Sequence, residues 1–172
     1  MAINKVFIKT RFFNYLISSG MLFANTINFH RISAATQENI DIPKVISYRS
    51  ASGGCCKKWI NHLRGNGLEV VDNIVEDVSA IKIQYLVPNN LRSCHSAQIA
   101  NYMIEGHVPI ESIKKLFREI PNISGGAVPG MPLGSPGMEM HSHDSHSHNY
   151  GNYKVISFSR TGETRIFEKI SP

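Results

Sequence analysis

Two cysteines stand side by side in SASGGCCKKW, residues 50–59, with Gly53 and Gly54 before them and Lys57, Lys58 and the sole tryptophan, Trp59, behind. The third cysteine of the chain, Cys94, is followed directly by His95. Thiolates with imidazole form a soft donor set that favours Cu(I), with Zn(II) as the alternative, over Mg or Ca. Cys55 and Cys56 are adjacent, not spaced as Cys-x-x-Cys, so a disulfide within the pair is not expected. Neighbouring residues on a helix project about 100° apart, which suits two thiolates that hold or bridge different ions better than two that close on one. Distant ligands are then needed, and Cys94 and His95 can supply them. In a regular strand their side chains point to opposite faces, so both reach one site only from a strand end or turn. The plain alternative is that the three cysteines are small buried residues, a common fate of the residue type, and that His95 is a hydrogen-bonded structural residue.

A second group lies in VPGMPLGSPGMEMHSHDSHSHNYG, which holds Met131, Met138 and Met140 and then His141, His143, His146 and His148. Thioethers and imidazoles both bind copper, and a short histidine tract is a compositional metal signal. A solvated segment with adventitious affinity has the same composition. The methionines have no helical stripe to belong to. Glu105 and His107 in IEGHVP form an acid–base pair only if a cleft joins them; otherwise they are hydrogen-bonded or surface residues at a turn. No Gly-x-Ser-x-Gly, phosphate-binding loop or His-Glu-x-x-His is present, so a non-enzymatic metal-binding protein is the expectation.

The elements that must carry these residues follow from periodicity and turn signals. KVISYRS (44–50) is rich in β-branched and aromatic residues and stops at Ser and Gly, as a strand running into a turn does. CCKKWINHLRGNG then puts Trp59, Ile60 and Leu63 on one helical stripe, with Gly65 or Gly67 to end it. LEVVDNIVE (68–76) reads as the next strand, giving a β-α-β unit with parallel strands. Cys55 and Cys56 thereby fall at a helix N-terminus, where free N–H groups, the dipole and the two lysines favour thiolate. DVSAIKIQYLVPNN reads as a short helix on Val78, Ile81 and Tyr85 ending in a turn. SCHSAQIANYMIEGHVP reads as one strand or a tight hairpin. PIESIKKLFREI is amphipathic, with Ile110, Ile113, Phe117 and Ile120 on the buried side. Residues 121–152 change to Gly, Pro, Ser, Met and His, a long loop without regular structure, and YKVISFSRTGETRIFEKI closes the chain as a hairpin turning at Gly162. The predicted class is α/β, a thioredoxin-like sandwich with a central mixed sheet, the long Met/His loop and the C-terminal hairpin.

Residues 1–35 contain Lys5, Lys9, Arg11 and Arg31 but no acid, around the apolar run FFNYLISSGMLFA and the small residues Ser33-Ala34-Ala35. They read as a signal peptide, which makes the protein periplasmic or otherwise exported and leaves 36–172 as a single metal-binding domain. A transit sequence or an additional amphipathic helix has a similar composition. The run is too short and too polar for a stable membrane span. Without those four basic residues the formal charge of +5 falls to +1, and a nucleic-acid partner loses its support. A domain of this length buries roughly two-thirds of its unfolded surface and needs no disulfide framework. The odd cysteine count leaves at least one thiol free, metal-bound or paired with a partner.

Three stretches, CCKKWINHL (55–63), VPNNLRSCHSAQIANYMIEGHVP (87–109) and AVPGMPLGSPGMEM (127–140), make the chain resemble the small CopG-type proteins of bacterial copper-resistance clusters, which are unrelated to the repressors of that name. The resemblance covers nearly all of residues 44–170. It implies a thioredoxin-like fold, a periplasmic setting and a cluster of copper ions held by Cys-x-Cys-Cys and a later Cys-His. Carried over, it implies Cys55, Cys56, Cys94 and His95 as ligands. The family's first cysteine falls at Gly53, so one thiolate is missing here. Fewer coppers, or a methionine or histidine from the loop as replacement, are what that loss implies. The expected function is exported copper binding and copper resistance, with metal ions and other copper-handling proteins as partners. The alternative is a thiol-disulfide or copper-reducing oxidoreductase using Cys94 with Cys55 or Cys56.

Overall fold

The computed structural model describes residues 40–139 and 151–171. The expected signal peptide, Met140, His141, His143 and the rest of the histidine tract lie outside the described residues. Seven strands form one mixed sheet: β1 (Val45–Arg49), β2 (Val70–Ile74), β3 (His95–Ile99), β4 (Tyr102–Glu105), β5 (Gly125–Ala127), β6 (Tyr153–Phe158) and β7 (Thr164–Ile170). Three helices join them: α1 (Gly54–Gly65), α2 (Val78–Gln84) and α3 (Ile110–Glu119). The strand order is β2-β1-β3-β4-β5-β6-β7. β1 runs parallel to β2 and β4 parallel to β5, while the other neighbours are antiparallel. The α/β class, the mixed sheet and the C-terminal hairpin are as the sequence predicts, and the hairpin turns at Gly162 with φ +83°.

The sheet separates two apolar layers. On one face Trp59, Ile60 and Leu63 of α1 and Ile113 and Leu116 of α3 pack with Val45, Ile99 and Ile104. On the other, Val87 and Leu91 pack with Met103, Ala127 and Phe158. Alternation along β4 produces this split, because Ile104 and Met103 must face opposite ways. β4 is buried along its whole length, as a central strand covered on both faces must be.

α1 ends where Gly67 takes φ +86° and the Leu68 N–H bonds the Leu63 carbonyl, a helix stop that needs a residue without Cβ. α2 forms over the segment read as a short helix, capped by the Asp77 carboxylate accepting from the Ser79 N–H at 2.7 Å. Its buried residue is Lys82, not an apolar one. The hairpin reading of 93–109 is the one that forms, with β3 and β4 joined at Ala100 and Asn101.

Two expectations change. Ile120 does not join the buried side of α3: it is the left-handed cap, φ +45°, and 73% exposed, and Leu116 takes the core position instead. The stretch from 121 also contains a strand, β5. It is short and glycine-rich because a Cβ at Gly125 would run into the Met103 carbonyl and the Phe158 ring. Close approach to both neighbours is what lets β5 pair at all, and turn composition hides that from periodicity. Among the described residues no helix is long and apolar enough to cross a membrane.

Candidate metal centre

The site begins at the first turn of α1. Gly53 precedes the helix without a side-chain cap, and its carbonyl accepts from the Lys57 N–H at 3.1 Å. The Gly54 N–H bonds the Ser52 carbonyl at 2.9 Å, and the same turn carries Cys55, which is half-buried, and Cys56, which is buried. Their Sγ atoms lie 3.9 Å apart. The sulfurs extend beyond Cβ and close the gap that the Cβ directions open, so the adjacent pair converges better than helical spacing alone suggests.

The β3–β4 hairpin supplies the other half. Its register pairs Ser96 with Glu105, and the Gly106 N–H continues it by bonding the His95 carbonyl at 3.0 Å. One more step brings Cys94 opposite His107. Cys94 Sγ lies 3.0 Å from His107 Nε2. Cys94 stands just ahead of β3, where strand alternation does not yet bind it, so it can share a side with His95, whose Nδ1 is 3.3 Å from the same sulfur. The His95 ring is fully buried between Trp59, 4.5 Å away by centroids, and His107, 5.0 Å away. Trp59 in turn donates from Nε1 to the Val108 carbonyl at 2.8 Å, which ties α1 to the segment carrying His107.

The loop of glycine, proline and methionine closes the site. Gly137, at φ +88°, presses so tightly on α1 that a Cβ there would come within 2.7 Å of the Cys55 carbonyl oxygen and 2.9 Å of the Trp59 nitrogen. That approach delivers the Pro136 carbonyl to His107 Nδ1 at 2.7 Å. A carbonyl only accepts, so Nδ1 carries the proton and Nε2 is the atom turned to Cys94. A histidine that donates from one ring nitrogen to a backbone carbonyl and offers the other is the arrangement of a metal ligand. From the same loop Met131, half exposed, brings its thioether sulfur to 3.9 Å from Cys55 Sγ.

The donor atoms of Cys55, Cys56, Cys94 and His107 all lie within 4.8 Å of one another. Metal–sulfur bonds of about 2.3 Å place two ligand sulfurs within this spacing, so the four fit a soft ion with small side-chain adjustments. Hydrogen bonding from the Cys56 thiol, against the effect of burial and together with His107 and His95, holds the Cys94 thiol far below its ordinary value. Cys56 moves the other way, raised by that same bond to Cys94, by burial and by the neighbouring sulfurs. In the metal-free cluster Cys94 is thus held toward the thiolate and Cys56 toward the thiol. Burial lowers the pKa of His95 despite the nearby thiolate, which leaves its imidazole neutral.

Of the residues singled out in the sequence, the fold brings together Cys55, Cys56 and Cys94, sets Met131 beside Cys55 and sets His95 behind Cys94, outside the four-donor group. Met138 is half-buried in the same loop, its N–H on the Ser135 carbonyl at 2.8 Å. The member that ligand reading passes over is His107. Its signal is the hairpin itself: once the turn is set at Ala100 and Asn101, counting back along both arms puts it across from Cys94. Glu105 and His107 do not form an acid–base pair, because Glu105 bonds Lys82, Ser93 and Ser96 while His107 bonds Cys94 and Pro136.

Residues 91–138 match the family described as "Protein of unknown function, DUF411". No curated protein matches the chain. Two solved structures are similar to it: copper resistance protein CopG in form 2, at 40% identity, covering 75% of this chain and 99% of that one with a TM-score of 0.67, and the same protein in form 1, at 39% identity, covering 77% and 100% with a TM-score of 0.67. With identity of this level across the whole of those chains, and a Cys/His cluster able to hold a metal ion at its centre, this chain belongs to the CopG-type copper-resistance family.

Proposed function

We propose that the protein is exported and binds Cu(I) as cargo for copper resistance, with Cys55, Cys56, Cys94 and His107 as ligands and His95 as an auxiliary group beside Cys94. The observation that carries this reading is the convergence of three sulfurs and one imidazole within 4.8 Å. Such a set suits Cu(I), with zinc as the competing ion. Export rests on the acid-free, basic and apolar segment 1–35. Met131 gives the cargo a first sulfur on the exposed side, Cys55 a second and the Cys56–Cys94–His107 group the buried end, so that copper moves inward by ligand exchange without redox change. Other copper-handling proteins would deliver or collect it at the Met131 side.

The reading is tested by titrating the reduced protein with Cu(I) against a competing chelator. Wild type competes, whereas Cys55→Ser and Cys94→Ser lose most of that affinity; tight binding retained in both variants would overturn the site. The oxidoreductase alternative draws on Cys56 Sγ and Cys94 Sγ lying within 4.8 Å of each other. Thiol counting on the metal-free protein after mild oxidation separates the two, since sequestration leaves three thiols and dithiol chemistry leaves one with a Cys56–Cys94 disulfide.

A further inference from the structure

Lys82 and Glu105 form an ion pair on the sheet face opposite α1, with side chains only 6% and 0% exposed. The pair is not isolated. One Glu105 carboxylate oxygen accepts from Lys82 Nζ and from the Ser93 backbone N–H, each at 2.5 Å, and the other accepts from Ser96 Oγ at 2.6 Å. Lys82 also donates to Ser96 Oγ at 3.0 Å. The carboxylate therefore grips the chain immediately before and immediately after Cys94-His95. Ser93 extends the grip, because its hydroxyl donates to the Gly130 carbonyl next to Met131. The backbone of Glu105 is itself immobilised, paired with Ser96 and accepting from the Val128 N–H at 2.9 Å.

Exchanging a buried ion pair for well-packed apolar residues is often neutral or stabilising, so fold stability alone gives little reason to keep this one. Cys94 lies ahead of β3 and lacks the ladder that would otherwise fix its backbone. We propose that the Lys82–Glu105 pair is a positioning clamp for the metal centre, holding Ser93 and Ser96 so that Cys94 faces His107 before any ion binds. Glu105 touches no donor of the four and acts through the Ser93 N–H; Lys82 acts through Glu105. The inference rests on the copper-site reading above.

The test uses the full chain and Cu(I) alone. Lys82→Met with Glu105→Leu removes the clamp, while Lys82→Met with Glu105→Gln removes both charges but keeps an acceptor for the Ser93 N–H. Expected are a folded first variant with Cu(I) affinity lowered about 10- to 100-fold and altered thiolate-to-copper absorption, and recovery of both readouts in the glutamine variant. Wild-type affinity and absorption in the leucine variant, or a glutamine variant as weak as the leucine one, would overturn the clamp. Should the leucine variant not fold, hydrogen exchange in metal-free wild type decides: the Ser93 amide is to be as protected as those of β3, and exchange at an open-loop rate rejects the proposal. Cys94→Ser separates the two levels, because wild-type binding there removes the copper site and the clamp together, whereas a weak Cys94→Ser beside a tight leucine variant removes the clamp alone.

Discussion

His107 Nε2 and Cys94 Sγ lie 3.0 Å apart at the open end of the β3–β4 hairpin, His107 two residues after its second strand and Cys94 one residue ahead of its first. The contact joins a thiolate to an imidazole whose other nitrogen already donates to Pro136. His107→Ala should therefore lower Cu(I) affinity by at least about 100-fold, above what loss of an outer partner costs. His95→Phe, which keeps a ring against Trp59, should lower it less. Competition titration of both variants checks the order, and equal losses would return His95 to the ligand set.

Protons compete with the cargo. Burial opposes a charge on His107, but the Cys94 thiolate and the Pro136 carbonyl outweigh it and raise the pKa above its ordinary 6.5. Protonated His107 thus stabilises the metal-free fold below its unfolded pKa, and that contribution is lost as pH rises through the raised folded value. Copper needs the Nε2 lone pair, so the sign for binding is opposite: affinity falls as pH drops through the same value, by about tenfold per unit beyond the proton released from Cys56. Chelator competition across pH, with His107→Ala as the variant lacking the extra slope, checks it.

Gly137→Ala should destabilise the protein. A Cβ there meets the Cys55 carbonyl and the Trp59 nitrogen at a φ of +88°, a conformation that costs an L-residue about 1–2 kcal/mol before the collision is relieved. The same shift withdraws the Pro136 carbonyl from His107, so Cu(I) affinity should fall along with the thermal midpoint. Thermal unfolding and titration of one preparation test the coupling.

Gly53→Cys should add a sulfur to the centre. Gly53 has φ −74° and ψ 76°, open to L-residues, and a Cβ there would stand 3.0 Å from Cys56 Sγ. A few tenths of an ångström of movement by the Cys56 side chain accommodates it. The expected result is more copper bound per chain than in wild type, read by native mass spectrometry; unchanged stoichiometry would mean that a fourth thiolate does not enlarge the site.

Much of the fold was legible because it is written in short-range pattern. The stripe of Trp59, Ile60 and Leu63, the β-branched and aromatic run of β1 and the helix stop at Gly65 or Gly67 each depend on neighbours a few residues away. Lys82 and Gly125 were not legible in this way. A lysine on an otherwise mixed helix reads as surface until Glu105 is known to lie across from it, and a strand of two glycines and an alanine reads as loop until Met103 and Phe158 are seen to press on it.

The sequence by itself determined the chemistry and its anchor points: soft sulfur donors at Cys55 and Cys56 where a strand hands over to a helix, and Cys94 ahead of the hairpin. Tertiary structure alone decided which histidine joins them. His95 is the sequence neighbour of Cys94, but strand geometry carries its ring into the core against Trp59, whereas hairpin register returns His107 to the sulfur and the Gly137 turn brings the carbonyl that orients it. Donor type is a property of single residues, while convergence of donors depends on register and close approach between segments far apart in the chain.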